Sequence, residues 1–286
     1  MTANDRQREL PLFPLHSVLL PGVALPLHVF EERYRAMVGR CVERGEPFGV
    51  VLIRSGREVG GIMPRLARVG TTAQIRQASR YADGRMDIVT VGGSRFRLED
   101  LHETHQPYLV GTVALLDEPL GDDEEAAELA HRVGRRFLRY LELLQPALAS
   151  GDGPEIEVEI EVEAPDDALE REEPVTLEIR GVADAVHAAS LERTIDAASL
   201  DEDERRDLLM AAARRLTATS GATELSYLIG GLIQVELSYR QELLEAPDTV
   251  RRLSRLHSLL GRELQLLRGH LKPLVLDPRM NVLRLN

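Results

Sequence analysis

An α+β fold is predicted for this chain: a mostly antiparallel β barrel at the N-terminus, an acidic insertion, and an α-helical bundle at the C-terminus. Three observations predict it. Between residues 9 and 116, short β-branched or alternating runs are separated by Pro, Gly and Asp turn residues. Residues 150–210 hold 20 Asp and Glu against 5 Arg, whereas the whole chain has a net charge of −12. From residue 199 onward, apolar residues recur at three and four residue spacing behind helix-start signals. With 286 residues there is enough chain for two domains with cores of their own. The expected boundaries are 8–120 for the barrel, 121–149 for a connecting helix, 150–220 for the acidic insertion, 221–272 for the bundle and 273–286 for a tail.

Taken in order, ELPLFPLHSVLLPGVALPLHVF (9–30) is broken by Pro11, Pro14, Pro21-Gly22 and Pro26. That spacing excludes helix and suits clipped edge strands joined by tight turns. EERYRAMVGRCVER (31–44) follows, with Tyr34, Met37, Val38, Cys41 and Val42 on one face and acids at its start, which predicts an amphipathic helix. Strands are expected in FGVVLI (48–53), VGTTAQIRQ (69–77), MDIVTVGG (86–93), SRFRLEDL (94–101) and YLVGTVALL (108–116), with a turn at Tyr81-Ala82-Asp83-Gly84-Arg85.

A helix from about Asp122 to Ala149 carries Leu129, Val133, Phe137, Leu141 and Leu144 on one face behind four acids. EIEVEIEVE (155–163) alternates strictly, so a strand would show Ile156, Val158, Ile160 and Val162 on one side and glutamates on the other. PVTLEIRGV (174–182) is its expected antiparallel partner. Capping boxes are read at Ser199 with Glu202 and at Ser238 with Gln241. The last helix, about Asp248 to Leu271, aligns Leu253, Leu256, Leu260, Leu264, Leu267 and Leu271 into a seam for an intramolecular core.

Composition narrows the function. The N-terminus lacks the basic start and apolar core of an export signal, and no run approaches the ~18 apolar residues of a membrane span, so a cytoplasmic protein with no membrane partner is expected. Cys41 is the single cysteine and lies on the buried face of a helix, where an inert thiol is expected. Lys272 is the only lysine, so a phosphate-loop lysine, a Ser-Lys protease base and a Schiff base have one candidate between them, placed just before Pro273 at a helix end. HETH (102–105) spaces its histidines three apart where a helical zinc motif needs four, and GxSxG and GxGxxG do not occur. No catalytic residue, metal or cofactor is therefore expected. The acidic insertion repels phosphates and argues against nucleic acid as a partner there.

The strings LPLFPLHSVLLPGVALPLHVFEERYRAMV (10–38), EPFGVVLI (46–53), VGTTAQI (69–75), DGRMDIVTVGGSRFRL (83–98) and PYLVGTVALL (107–116) resemble the substrate-binding domain found at the N-terminus of Lon proteases. The resemblance resumes in ELSYLIGGLIQVELSYRQELLEAPDTVRRLSRLHSLLGREL (224–264). It implies a pseudobarrel related to PUA-like domains followed by a helical bundle, and contacts with other proteins, including unfolded or extended segments. The ATPase and Ser-Lys peptidase modules of those proteases have no counterpart in these strings, so a non-catalytic binding module is expected. Binding of RNA through the barrel, by Arg54, Arg57, Arg65, Arg68, Arg76 and Arg80, is the alternative.

The candidate binding residues are Phe13, Leu15, Pro21, Gly22, Pro26, Leu27, Phe30, Glu31, Arg33, Tyr34, Arg95 and Phe96. Each has a structural reading beside the functional one. Pro14, Pro21, Gly22 and Pro26 would fix turns, while Phe13, Leu15, Leu27 and Phe30 would fill the barrel core. Glu31, Arg33 and Tyr34 would form a helix start, and Arg95 an internal ion pair.

Overall fold

The computed structural model describes residues 7–55, 65–102, 105–149, 175–178, 210–211, 213–215, 217 and 220–269. The chain divides into two compact units, Met1–Asp117 with Glu157–Gly181, and Glu118–Ile156 with Val182–Asn286. The α+β class is observed: a mostly antiparallel sheet followed by helices.

The first unit contains β1 (Gln7–Leu15), β2 (Ala24–Val29), α1 (Glu32–Arg44), β3 (Phe48–Ser55), β4 (Arg65–Leu66), β5 (Val69–Arg80), β6 (Met86–His102), β7 (Val110–Leu115) and β8 (Val175–Glu178). Pairing closes on itself through β6, β7, β1, β3, β5 and back to β6, with β2 added on β6, β8 on β5 and β4 on β3. All ladders are antiparallel except β1 with β3, where Leu12 to Leu15 pair with Gly49 to Leu52.

The prolines of β1 show how a strand inside a closed sheet tolerates missing donors. Residues 7–11 of β1 pair with β7 and residues 12–15 with β3, so the strand uses one edge and then the other. The Leu12 N–H donates to the Leu109 carbonyl, on the β7 side. Donors alternate sides along a strand. Pro14 therefore lacks a donor on the β7 side, beyond the last β7 pair at Pro11 and Val110, and Pro11 lacks one on the β3 side, before that ladder begins. Pro14 thus lies buried in a strand and not in a turn, contrary to expectation.

Leu20-Pro21-Gly22-Val23 is a tight turn, closed by the Val23 N–H donating to the Leu20 carbonyl at 3.1 Å. Gly22 has φ 74°, the conformation required two residues into such a turn, and Pro21 supplies the φ required before it. The turn lies directly on β6: the Gly22 N–H donates to the Gly92 carbonyl at 2.8 Å, and a Cβ on Gly92 would fall 2.1 Å from the Leu20 carbonyl oxygen. Gly92 therefore lets two backbones touch inside a strand, which is why MDIVTVGG and SRFRLEDL, expected as two strands, run together as the single β6.

Helix α1 buries Tyr34, Met37, Val38 and Cys41 into the barrel core beside Phe13, Phe48, Val50, Ile75 and Ile88. Each large side chain buried there contributes roughly 1.5–3 kcal/mol. A smaller cluster of Leu10, Leu12, Phe96 and Val113 fills the other part of the sheet.

The second unit contains α2 (Asp123–Ala149), α3 (Ala222–Leu232), α4 (Leu237–Glu245) and α5 (Thr249–Arg268). Leu129, Val133, Phe137, Tyr140 and Leu144 of α2 form one core with Leu225 and Ile229 of α3 and Leu253, Leu256, Leu260 and Leu264 of α5. The leucine seam is intramolecular, as expected, and Leu271 lies outside the described residues. Asp122 and Asp248 cap α2 and α5 by accepting from the Glu125 and Arg251 N–H groups at 2.9 and 2.7 Å.

The capping box at Ser238 is not formed. α4 starts two residues earlier than that box requires, at Leu237 after Glu236, so Ser238 lies inside the first turn and Gln241 donates forward to Glu245 at 2.8 Å. The box at Ser199 and the strand EIEVEIEVE lie outside the described residues. Of PVTLEIRGV, Val175–Glu178 forms β8, paired with Gln77–Arg80 of β5.

Candidate protein-binding surface of the barrel

The candidate residues fall into three places. Phe13 and Tyr34 lie beneath the surface, their rings stacked with centroids 4.1 Å apart, and Leu15 and Leu27 pack partly buried against the same core. Pro26 is exposed on β2, a strand whose outer edge pairs with no strand among the described residues. Phe30 follows the end of β2 and is 62% exposed, the most exposed large apolar side chain of the described residues. This corrects its expected place in the core. The reason is parity: β2 turns Val29 inward at 1% exposure, so the next residue faces out.

Glu31 and Arg33 stand beside Phe30 and hold each other. Arg33 donates to one Glu31 carboxylate oxygen through Nε at 3.0 Å and Nη2 at 2.8 Å, and its guanidinium lies 4.7 Å from the Tyr34 ring centroid. Glu31 is the residue before α1, yet its carboxylate does not cap the helix. Arg95 and Phe96 lie elsewhere. Arg95 is 2% exposed and donates to the Asp117 backbone carbonyl at 3.1 Å, and Phe96 is fully buried. Both are buried, so neither belongs to the exposed surface around Phe30.

A polar network next to Phe30 escaped the sequence reading. The β2–β6 register places His28 opposite Asp87. Their side chains meet at 2.6 Å, and the Tyr81 hydroxyl donates to the other Asp87 oxygen. That hydrogen bond is the main cause that pushes the Tyr81 hydroxyl above its ordinary range. The His28 ring stacks toward Phe30 with centroids 6.2 Å apart, and Arg85 lies 5.8 Å from the Tyr81 centroid. The signal available in sequence was the hairpin itself: once Tyr81 to Arg85 is the turn, Asp87 must sit near the strand end that β2 reaches.

Cys41 is buried, and burial is the first cause that pushes its thiol up to about 11, which suits an inert core residue. Among the described residues, no group of three or more His, Cys, Asp or Glu is placed to hold a metal ion, and no helix is long and apolar enough to cross a membrane. The Nε2 of His102 meets the Thr112 hydroxyl at 2.6 Å, an ordinary cross-strand contact with β7.

The profile of the ATP-dependent protease La (LON) substrate-binding domain matches residues 9–262, spanning both units. The chain belongs to that family. It is 31% identical over 114 residues to the Lon protease of Parabacteroides distasonis, covering 40% of this chain and 14% of that protein. It is also 29% identical over 145 residues to the Lon protease of Porphyromonas gingivalis, covering 49% of this chain and 17% of that one. The chain therefore spans less than a fifth of the length of these relatives. A Lon N-terminal domain protein from Xanthomonas campestris has a solved structure similar to it, at 25% identity and TM-score 0.47, covering 88% of this chain and 98% of that one.

Proposed function

We propose that this Lon substrate-binding domain protein is a protein-binding module without catalytic machinery of its own, which takes extended or unfolded polypeptide segments along β2 beside Phe30. The observation that carries the reading is a strand edge, without a strand partner among the described residues, that ends in an exposed aromatic. A strand edge supplies backbone donors and acceptors to any extended chain, and an apolar anchor next to it adds contact area without demanding a sequence. Pro26 keeps the edge from serving as a continuous template for self-pairing. The Glu31–Arg33 pair and the His28–Asp87–Tyr81 network hold the ground around Phe30 rigid with partners already satisfied, which lowers the cost of ordering on binding.

The test is fluorescence anisotropy of a labelled, permanently unfolded protein titrated with the full chain and with Phe30→Ser. Affinity is expected to fall at least fivefold in the variant. Equal affinity would move the site away from β2. RNA binding has one observation in its favour: Arg54, Arg65, Arg68, Arg76 and Arg80 are all exposed on the barrel, while Arg57 lies outside the described residues. A gel shift that vanishes as salt rises from low to moderate would establish it, since phosphate contacts release counterions.

A further inference from the structure

The helical unit carries a concentration of positive charge that polypeptide binding on the barrel does not use. Arg132, Arg135, Arg136 and Arg139 recur at three and four spacing, so they share one face of α2 and span about 10 Å of it. With His257 and Arg268 of α5 they line a cavity of about 490 Å³ between the two helices. Leu264, 8% exposed, forms an apolar part of the lining. Gly261 gives room for Arg136: a Cβ there would lie 2.9 Å from Arg136 Nη1, which instead reaches across to donate to the His257 carbonyl at 2.5 Å.

Only part of this charge is answered. Arg139 pairs with Glu142 at 2.7 Å, and Arg132 approaches Glu128 at 4.0 Å, both at exposed positions. Arg135 and Arg268 have no ion-pair partner among the described residues. Burial, then Arg136 and Arg132, holds the His257 imidazole below its ordinary range. The guanidiniums of this cavity that no carboxylate answers repel each other unless an anion joins them.

We propose that this α2–α5 groove binds a compact anion carrying two or more phosphate groups. The charge density selects phosphate over a peptide: an extended chain turns successive carboxylates to opposite sides, one charge each, whereas linked phosphates bring several charges into one cavity. Guanidinium forks match phosphate oxygens two at a time. The volume lies in the small-molecule range of ~300–1,000 Å³. Among the described residues no Phe, Tyr or Trp lines the cavity, so the phosphates and not a base are what it recognises.

Isothermal titration of the full chain with sodium tripolyphosphate at fixed ionic strength tests this. Saturable binding is expected, weakened tenfold or more in Arg135→Gln/Arg268→Gln and unchanged in Arg65→Gln/Arg76→Gln, which removes the same charge from the barrel. The two α2–α5 positions are exposed, and matching melting temperatures show that the variant folds. Absence of saturable binding, or equal weakening in both variants, would overturn the proposal. Tighter binding of a hexaglutamate peptide than of tripolyphosphate would overturn the phosphate assignment. The outcome is independent of Phe30 and of unfolded-polypeptide binding.

Discussion

Arg252 shows how much a single side chain holds. It is 0% exposed, yet it donates to the Leu243 carbonyl at 3.2 Å, the Ser226 hydroxyl at 3.1 Å and the Glu118 carboxylate at 3.2 Å, with its guanidinium 3.8 Å from the Tyr227 centroid. The Tyr227 hydroxyl donates to the same Glu118 oxygen at 2.6 Å. Removing the guanidinium takes the charged donor from Glu118 and Leu243, which keep the Tyr227 hydroxyl and the Ala246 N–H, and empties a fully buried site. Arg252→Ala is therefore expected to destabilise the protein by about 3–5 kcal/mol in urea denaturation. Cys41 gives a second prediction at this scale. Its folded pKa of about 11 lies above its ordinary 9.0, so folding favours the neutral thiol. Its contribution is fully present below pH 9 and is lost as pH rises toward 11, because the unfolded thiol ionises first. The stability difference between the protein and Cys41→Ala should shrink across that window by roughly 2–3 kcal/mol.

Among the elements, α1 is the one on which the barrel core depends. Met37 is fully buried beneath it, and Met37→Ala is expected to cost about 2–5 kcal/mol, whereas loss of the α5 cap in Asp248→Ala should cost about 1 kcal/mol. Thermal and urea denaturation of the two variants would check both values. Elements were legible where one face of a period is buried: α1, α2 and α5 stand within a residue or two of their expected starts, because Tyr34, Leu129 and Leu253 begin apolar stripes with acids before them. What escaped is what depends on partners distant in sequence. Pro14 reads as a turn until the switch of β1 from β7 to β3 shows that its missing donor is not needed. The double glycine at 92–93 reads as a break until the Leu20–Val23 turn is seen lying on it. Of the candidate site, the Glu31–Arg33 neighbourhood was legible, but Phe30 was misplaced inward, and His28 with Asp87 emerged only from the register of β2 on β6.

Over the whole molecule, the charge is divided in a way that bears on function. Residues 150–210 are strongly acidic, the barrel presents scattered exposed arginines, and the helical unit gathers five around one cavity. If apolar and strand-edge contacts at Phe30 carry polypeptide binding, that binding should change little between low and moderate salt, while contacts made by exposed charges should weaken. The most direct measurement is the anisotropy titration of an unfolded protein with the full chain and with Phe30→Ser, at both salt concentrations. Binding that is insensitive to salt and at least fivefold weaker in the variant is the predicted result. Binding that is unaffected by the variant and abolished by moderate salt would contradict the account and place recognition on the charged surfaces instead.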